Sequence, residues 1–561
     1  MCAAPVGRRP THDHTGGIVR KVRLTGRRGA LTSAITAAAL VAGTIAAGGV
    51  AQAAPARAAA STGKAGGGGV ITYGVEGKTT QFCPYKTQAA ISGIMIMQSM
   101  YDTITYPTDK GTVVPYLAKA VTPNADYSEW TITLREGVKF HDGTPLDSAA
   151  LKLNMDKWKE GILLQFVFSN MGQVDVVDPL TVKVTMKKPW VAFPWYLWTT
   201  GRTGIAAPAQ LNSANCDTEL IGTGPFKKKS FDPSTGDVSV VRNKGYWRKG
   251  FPKADGINWK VQGDSVQRLN GLQGGQFDLI HTSGGKDLKT AKSFSGVAVT
   301  AEPAGYREIS QVLINVTRPP FDDEGARRAL ALGLDRTKFL AIANPGGEIT
   351  NQVVDKKVLG YVKNPGYPAK PNVSKAKKLV KEYKAAHGGK FEFNLQSTFD
   401  PSTQALAQEL KRQASKIGVK VNLPQPVDQA QIINQAIGGQ IDSFLWRNYP
   451  GADPDTLYVW FHSGSPVNFN KISDPVVDNA LDEGRSEADP AARKADYETF
   501  VKQLSTKIYN YWSWYTDWFI ASKGVKGVLG PNLPNPSGQP GKDKPAKVLV
   551  GFHSLLGLTK K

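Results

Sequence analysis

Acid–base, nucleophilic and metal chemistry all need a few reactive side chains at short, specific spacing, so histidine and cysteine are the first residues to inspect. Beyond residue 53 the histidines are His141, His281, His387, His462 and His553, scattered with no HxH, HExxH or CxxC arrangement. That scatter argues against a metal hydrolase. No GxSxG elbow marks a serine hydrolase. The cluster Gly222-Thr223-Gly224 lacks the Gly-Lys-Ser or Gly-Lys-Thr of a phosphate loop. His141, beside Asp142-Gly143, reads as a turn or surface residue. The sequence therefore predicts no enzyme, no cofactor and no resident metal.

Recognition is better served. Phe444-Leu445-Trp446-Arg447-Asn448-Tyr449 sets aromatic, cationic and amide side chains on one short segment, and Asp453 is the nearest carboxylate that follows. Arg447 can meet an anionic group or simply pair with a neighbouring carboxylate. Tyr101, Tyr458, Trp460 and the run Tyr509 to Phe519 add aromatic surface that suits an apolar or sugar-stacking pocket. Most of these rings are expected in the core, with Trp446, Tyr449 and Tyr101 facing a ligand.

Positioning such residues requires regular elements, and the stretch Trp130 to Trp158 shows how they are written. Trp130, Ile132 and Leu134 alternate with Thr131, Thr133 and Arg135, the period of a strand with one buried face. Asp142-Gly143 supplies a turn, and Asp147 or Ser148 can cap the helix that follows. Residues 90–106 read as a helix whose methionine stripe is core. Asp322 and Asp323 open another helix, where carboxylates suit the N-terminal dipole.

Four separated segments carry a resemblance. LREGVKFHDGTPLDS, then Gly222 to Phe226 with Arg242-Asn243-Lys244-Gly245-Tyr246-Trp247, then Gly275 to Ile280, and lastly Asn315 to Arg336 resemble, in order, the signatures of the extracytoplasmic solute-binding proteins of the peptide/nickel class, family 5. Those proteins are receptors of ABC importers. The resemblance runs from about Val70 to Lys523 and implies an α/β architecture of the type II periplasmic-binding-protein fold. Two lobes are joined by hinge strands, with an extra subdomain in the first. It places lobe I at 70–305 with the inserted subdomain at about 96–204, lobe II at 306–514, and a return to lobe I at 515–561. The crossings are expected at Tyr306 to Val316 and Tyr509 to Ser522.

The resemblance also implies function. A solute, most simply a peptide, is captured between the lobes and delivered to an ABC permease in the membrane, and the receptor acts as a monomer. The segment from Phe444 to Tyr449 would run along the ligand, with its backbone pairing to an extended peptide. Gln81 and Phe82 fall on the loop that lines the cleft from the first lobe. Peptide-binding relatives carry an Asp shortly after this Trp for the α-ammonium, whereas this chain has Asn448. Oligosaccharide capture, a surface sensor without transport, and a nickel chelate needing few protein ligands remain alternatives.

The N-terminus fits export. Arg20, Lys21, Arg23, Arg27 and Arg28 precede an Ala-rich apolar run to Val50, and Ala51-Gln52-Ala53 fits a cleavage site. Residues 1–53 read as a signal peptide with an N-terminal extension, and 54–69 as a flexible leader. Sec export is expected, with twin-arginine export and an uncleaved anchor as alternatives. No lipid-attachment cysteine stands near the site, so the product is periplasmic, cell-surface or extracellular.

The full chain carries +22, and residues 1–53 hold seven Lys or Arg against one Asp, which leaves +16. The basic residues are dispersed, Lys227-Lys228-Lys229 being the tightest run, so nucleic acid is not an expected partner. Cys83 and Cys216 remain after cleavage. An even number in an oxidising compartment predicts one disulfide, although two isolated cysteines can also be buried free thiols.

Overall fold

The computed structural model describes residues 68–198, 201–449, 451–547 and 551–560. The signal segment 1–53 and most of the leader lie outside the described residues. The body is built on two sheets, each the centre of one lobe.

The first sheet has seven strands, in the order Val297–Ala301, Trp518–Lys523, Leu279–Ser283, Val70–Val75, Gly256–Val261, Val238–Arg242 and Phe226–Phe231. Val70–Val75 sits at its middle and runs parallel to both neighbours. Alternation explains the placement: Ile71, Tyr73 and Val75 are fully buried. Tyr73 lies opposite Trp259 in register, and their rings stack at 4.5 Å. At the far edge Phe226–Phe231 exposes Lys228 and Lys229, which keeps that edge solvated.

Inserted into this lobe is a four-stranded antiparallel sheet, ordered Ala118–Pro123, Glu129–Leu134, Thr181–Met186 and Met171–Asp178. The helix Ser148–Glu160 packs on it. Trp130, Ile132 and Leu134 face the core. Asp147, rather than Ser148, caps the helix by accepting from Ala150 N at 2.8 Å. Gly143 has φ of +95°, which the turn requires and glycine tolerates.

Cys83 and Cys216 are joined by a disulfide within this lobe. The first helix spans Ile91–Met100, shorter than the expected 90–106. β-Branched Thr103, Ile104 and Thr105 favour extended backbone, and a short strand, Thr105–Pro107, follows instead.

The second sheet has five strands, ordered Lys420–Asn422, Glu392–Gln396, Ser443–Asn448, Glu308–Ile314 and Asn510–Thr516. Every residue of Glu308–Ile314 and Asn510–Thr516 is buried. Helices including Glu324–Gly333, Pro401–Lys416 and Pro490–Thr506 cover this lobe, the first capped by Asp323 accepting from Ala326 N at 2.6 Å.

The lobes are linked through short segments. Residues 302–307 lead from the first sheet's edge strand to Glu308, and Asp517 alone separates Thr516 from Trp518 on the way back. The crossings are thus shorter than the expected Tyr306 to Val316 and Tyr509 to Ser522. Arg307 holds both: its Nε lies 2.9 Å from Asp355, its Nη1 lies 3.7 Å from Asp517, and its guanidinium stacks 4.2 Å over Tyr515.

Candidate functional site

Between the lobes the second sheet presents a strand with one free edge. Ser443–Asn448 pairs along its whole length with Glu308–Ile314, Gln311 opposite Trp446 and Ile309 opposite Asn448. On its other side Glu392–Gln396 pairs only with Ser443 and Phe444. From Leu445 to Tyr449 that edge has no strand partner among the described residues. An unpaired edge offers backbone donors and acceptors at strand spacing.

Charged side chains bridge the lobes beside this strand. Arg447 Nη2 lies 3.6 Å from Glu76, just past the central strand of the first lobe, and its Nε lies 3.8 Å from Glu308. Both separations exceed a good hydrogen bond, and the Arg447 side chain is 40% exposed, so its donors stay available. The Arg447 guanidinium sits 5.0 Å over the ring of Trp518. Trp518 Nε1 donates to Glu308 at 2.8 Å, and its ring stacks on His281 at 4.6 Å. Arg268 Nη2 lies 3.7 Å from the far side of Glu76.

Burial sets the protonation of these groups. The Glu308 carboxyl is pushed up by burial, an effect opposed by Arg447 and the Trp518 hydrogen bond. Glu302 is pushed well above the carboxylate range, first by burial and then by Glu308, Asp355 and Asp517. His281 is pushed down to about 3 by burial and then by Arg268. It is a neutral ring at physiological pH.

Several buried polar atoms here have no protein partner among the described residues. They are both amide atoms of Gln311, Oδ1 of Asn448, the hydroxyl of Tyr449, both ring nitrogens of His281 and both carboxyl oxygens of Glu302. A buried polar group without a partner costs about 1–3 kcal/mol. Such a group is stable only where something else meets it.

The residues expected from sequence fall into two sets. Trp446, Arg447, Asn448 and Tyr449 share the free-edged strand end. Trp446 packs edge-on against Phe444 and Phe469 at 5.5 and 5.7 Å, and Tyr449 packs against the cluster formed by Trp198, Ala546 and Phe552 of the first lobe. Gln81 is exposed on its loop.

Three others are engaged elsewhere. Phe82 is fully buried, edge-on to Phe231 at 5.1 Å, so it is core rather than cleft wall. Tyr101 is buried, with its hydroxyl 3.0 Å from Gln210, and lines a cavity of about 50 Å³ inside the first lobe. Asp453 is held by Arg493 at 2.7 and 2.8 Å and accepts from Asp455 N, so neither oxygen faces a ligand. Glu76, Arg268, His281, Glu302, Glu308 and Gln311 were not legible as site residues, whereas Trp518 falls in the aromatic run Tyr509 to Phe519 that the sequence offered. The one signal was Glu308, Ser310 and Gln311 interrupting an otherwise apolar strand.

Away from the crossings, a second contact clasps the lobes. Trp190, just past the inserted sheet, donates from Nε1 to Asp455 Oδ2 at 2.6 Å, and the Tyr196 hydroxyl donates to the Asp455 carbonyl. Arg485 Nε holds the other Asp455 oxygen at 2.8 Å, and its guanidinium stacks 3.5 Å over Tyr458. Val191 N donates to the Arg485 carbonyl at 3.1 Å.

His141 proves to be a latch inside the first lobe. Its Nδ1 accepts from Gly222 N at 3.2 Å, and its Nε2 lies 3.0 Å from the Gly224 carbonyl, which requires the neutral Nε2–H tautomer. Burial pushes its pKa down to about 4, an effect opposed by the hydrogen bond to Gly224. The HDGTP and GTGPF segments are therefore packing partners.

Among the described residues no helix is long and apolar enough to cross a membrane, and no group of His, Cys, Asp and Glu could hold a metal ion.

Comparison with known proteins places this arrangement. The family described as bacterial extracellular solute-binding proteins, family 5, middle region, matches residues 112–469. The glutathione-binding protein GsiB of Salmonella paratyphi A is 29% identical over 447 residues, covering 76% of this chain and 85% of that one. The structure of AgaA from A. tumefaciens R10 in complex with agropinic acid superposes with a TM-score of 0.76 at 25% identity, covering 88% of this chain and 99% of that one. The oligopeptide-binding protein AppA of Bacillus subtilis, in complex with a nonapeptide, gives 0.75 at 20% identity with the same coverage.

Proposed function

The chain belongs to the bacterial extracellular solute-binding proteins of family 5, receptors of ABC importers, and on that premise we propose that its ligand is a peptide or peptide-like molecule laid along Leu445 to Tyr449. The observation that carries the reading is the free edge of that strand beside buried polar atoms without partners. An extended backbone adds to the edge as a further strand. Its amides and carbonyls, or its side chains, reach Gln311, Asn448 and Tyr449.

This arrangement also supplies the coupling that a receptor needs. A ligand drives closure only by binding the closed state better than the open one. In the open state the same polar groups are hydrated. Closing without ligand strands them, at about 1–3 kcal/mol each, whereas closing on a peptide satisfies them. The Trp190–Asp455 clasp then adds bonds that hold the lobes together. The closed form, a monomer with one solute, docks on the permease and releases the ligand chemically unchanged.

Export by an N-terminal signal and freedom from nucleic-acid partners belong to the same reading. The GsiB likeness supports a peptide-like ligand; the AgaA likeness makes a ligand resembling agropinic acid the next candidate.

The test is mass spectrometry of molecules released on denaturing the purified protein, joined to thermal shifts against peptides, agropinic acid and oligosaccharides. A captured peptide, or a peptide-dependent rise in Tm, supports the reading. A captured sugar, or a response to oligosaccharides alone, overturns it.

A further inference from the structure

The lysines of residues 370–420 are spread out in the sequence and collected by the fold. This stretch, under a tenth of the chain, holds eleven Lys or Arg against four Asp or Glu, a net +7. Five of its lysines, Lys375, Lys377, Lys378, Lys381 and Lys384, lie on the helix Val373–Ala386, with Glu382 as that helix's one carboxylate. The helix turns Ala376, Val380 and Tyr383 into the core of the second lobe, so its period sends the lysines outward. All are exposed except Lys384, which is half-buried. Lys377, Lys381 and Lys384 stand at i, i+4 and i+7 and form one stripe.

Other elements extend this stripe. A Cβ placed on Gly418 would stand 3.8 Å from Lys384 Nζ, so the stripe ends against the turn between Lys416 and Lys420. Lys420 N donates to the Phe391 carbonyl at 3.0 Å, which brings Lys390 to the same corner. Four lysines from separate segments therefore meet at one end of the helix. Their compensation is thin. Lys378 stands 3.9 Å from Glu382 and Lys420 2.9 Å from Glu392, while Lys375, Lys377, Lys381, Lys384, Lys390 and Lys416 have no carboxylate within 4 Å among the described residues. Lys377 and Lys381 are like charges at i, i+4, a pairing that weakens a helix unless a counter-charge meets it.

Shape and chemistry select the counter-charge. The lysines sit on the convex outer face of a helix, not in a channel that tracks a polymer. The helix's one aromatic ring, Tyr383, is turned inward, so nothing on it stacks on a base. Lysine ammoniums are compact point charges, suited to a diffuse negative surface more than to forked recognition of one anion. Val373, 45% exposed at the start of the same helix, adds the kind of apolar contact that enters a bilayer interface.

We propose that this face of the second lobe adsorbs the receptor electrostatically to an anionic phospholipid bilayer, and so concentrates it in the layer where an importer's permease lies. The proposal is independent of which solute the cleft takes. Each lysine near such a surface favours adsorption roughly fivefold, an effect that decays over about 10 Å at 0.1 M salt.

The protein purified after export is sedimented with vesicles of phosphatidylcholine alone or with about 30% phosphatidylglycerol, at about 50 and about 500 mM salt. Adsorption to the anionic vesicles that high salt abolishes supports the proposal. Lys377→Gln, Lys381→Gln and Lys384→Gln together lower that adsorption by roughly 100-fold, with the solute affinity and the urea midpoint near wild type. A control variant carries Lys286→Gln, Lys289→Gln and Lys292→Gln, which remove three exposed charges from the first-lobe helix Gly285–Ser293 and leave adsorption within a few-fold. Equal losses in the two variants overturn the assignment to this face. Adsorption that neutral vesicles match, or that the first variant retains, overturns the proposal, as does its absence at low salt. Binding to soluble polyphosphate without binding to vesicles also overturns it, in favour of a polymer partner.

Discussion

Replacing Trp190 with Phe isolates the clasp between the lobes. The indole Nε1 donates to Asp455 Oδ2 at 2.6 Å, in a site where Trp190 is fully buried and Asp455 is 0% exposed. Phe keeps a ring against Phe193 and Tyr196, whose centroids lie 5.3 and 4.7 Å away, but has no donor. Asp455 retains Arg485 on its other oxygen, so the carboxylate stays paired and the lobe should still fold.

A hydrogen bond to a charged group contributes about 1.5–3 kcal/mol. If it forms only when the lobes close, its loss falls on the closed state alone. A loss of about 2 kcal/mol then raises the ligand Kd by roughly 30-fold, since about 1.4 kcal/mol is tenfold. Isothermal titration with whichever ligand the protein releases on denaturation measures the change, and urea denaturation of the ligand-free protein supplies the control. Trp190→Phe with wild-type affinity but a ligand-free stability lower by about 2 kcal/mol would refute the reasoning, because the contact would then persist in the open form.

Other expectations follow from buried groups in the first lobe. His553 is held neutral, its Nε2 2.8 Å from the Val528 carbonyl and its Nδ1 3.3 Å from the Tyr73 hydroxyl, and burial pushes its pKa down to about 4. Its contribution is therefore complete above about pH 6.5 and is lost as pH falls toward 4, by at most about 3 kcal/mol. Asp102, pushed up to about 7 by burial, acts with the opposite sign, losing stability as pH rises from about 4 to 7. The measurement is accordingly a difference. Urea denaturation of wild type and His553→Gln should converge as pH drops from 7.5 to 4.5, and parallel curves would contradict the assignment. His141→Ala should lower stability by about 1–3 kcal/mol by unlatching the Gly222 to Gly224 segment, with ligand affinity within a few-fold of wild type. Removing the Cys83–Cys216 bridge, which spans 133 residues, frees the unfolded chain and should cost about 2–5 kcal/mol, read as a lower urea midpoint for the double alanine variant.

Local signals were legible wherever a residue's role depends on its sequence neighbours. The alternation from Trp130 to Leu134, the turn at Gly143, and the caps Asp147 and Asp323 follow from periods of two and 3.6 and from short-range hydrogen bonds, and each is present in the structure. That Trp446, Arg447 and Asn448 share one element was legible for the same reason, because they are neighbours in the chain. Asp453 and Phe82 misled because proximity in sequence says nothing of direction: Asp453 turns back to Arg493, and Phe82 packs on Phe231.

The family and the two-lobe architecture were thus determined by the sequence by itself, through ordered motifs that are local packing units, as the His141 latch illustrates. Which charged and aromatic groups surround Arg447 was decided only by the tertiary structure. Glu76, His281, Glu302, Glu308, Arg447 and Trp518 come from separate segments of the chain. They meet because two crossings bring one sheet's edge to the other, and their charge states depend on burial, a property that no residue carries before the lobes assemble.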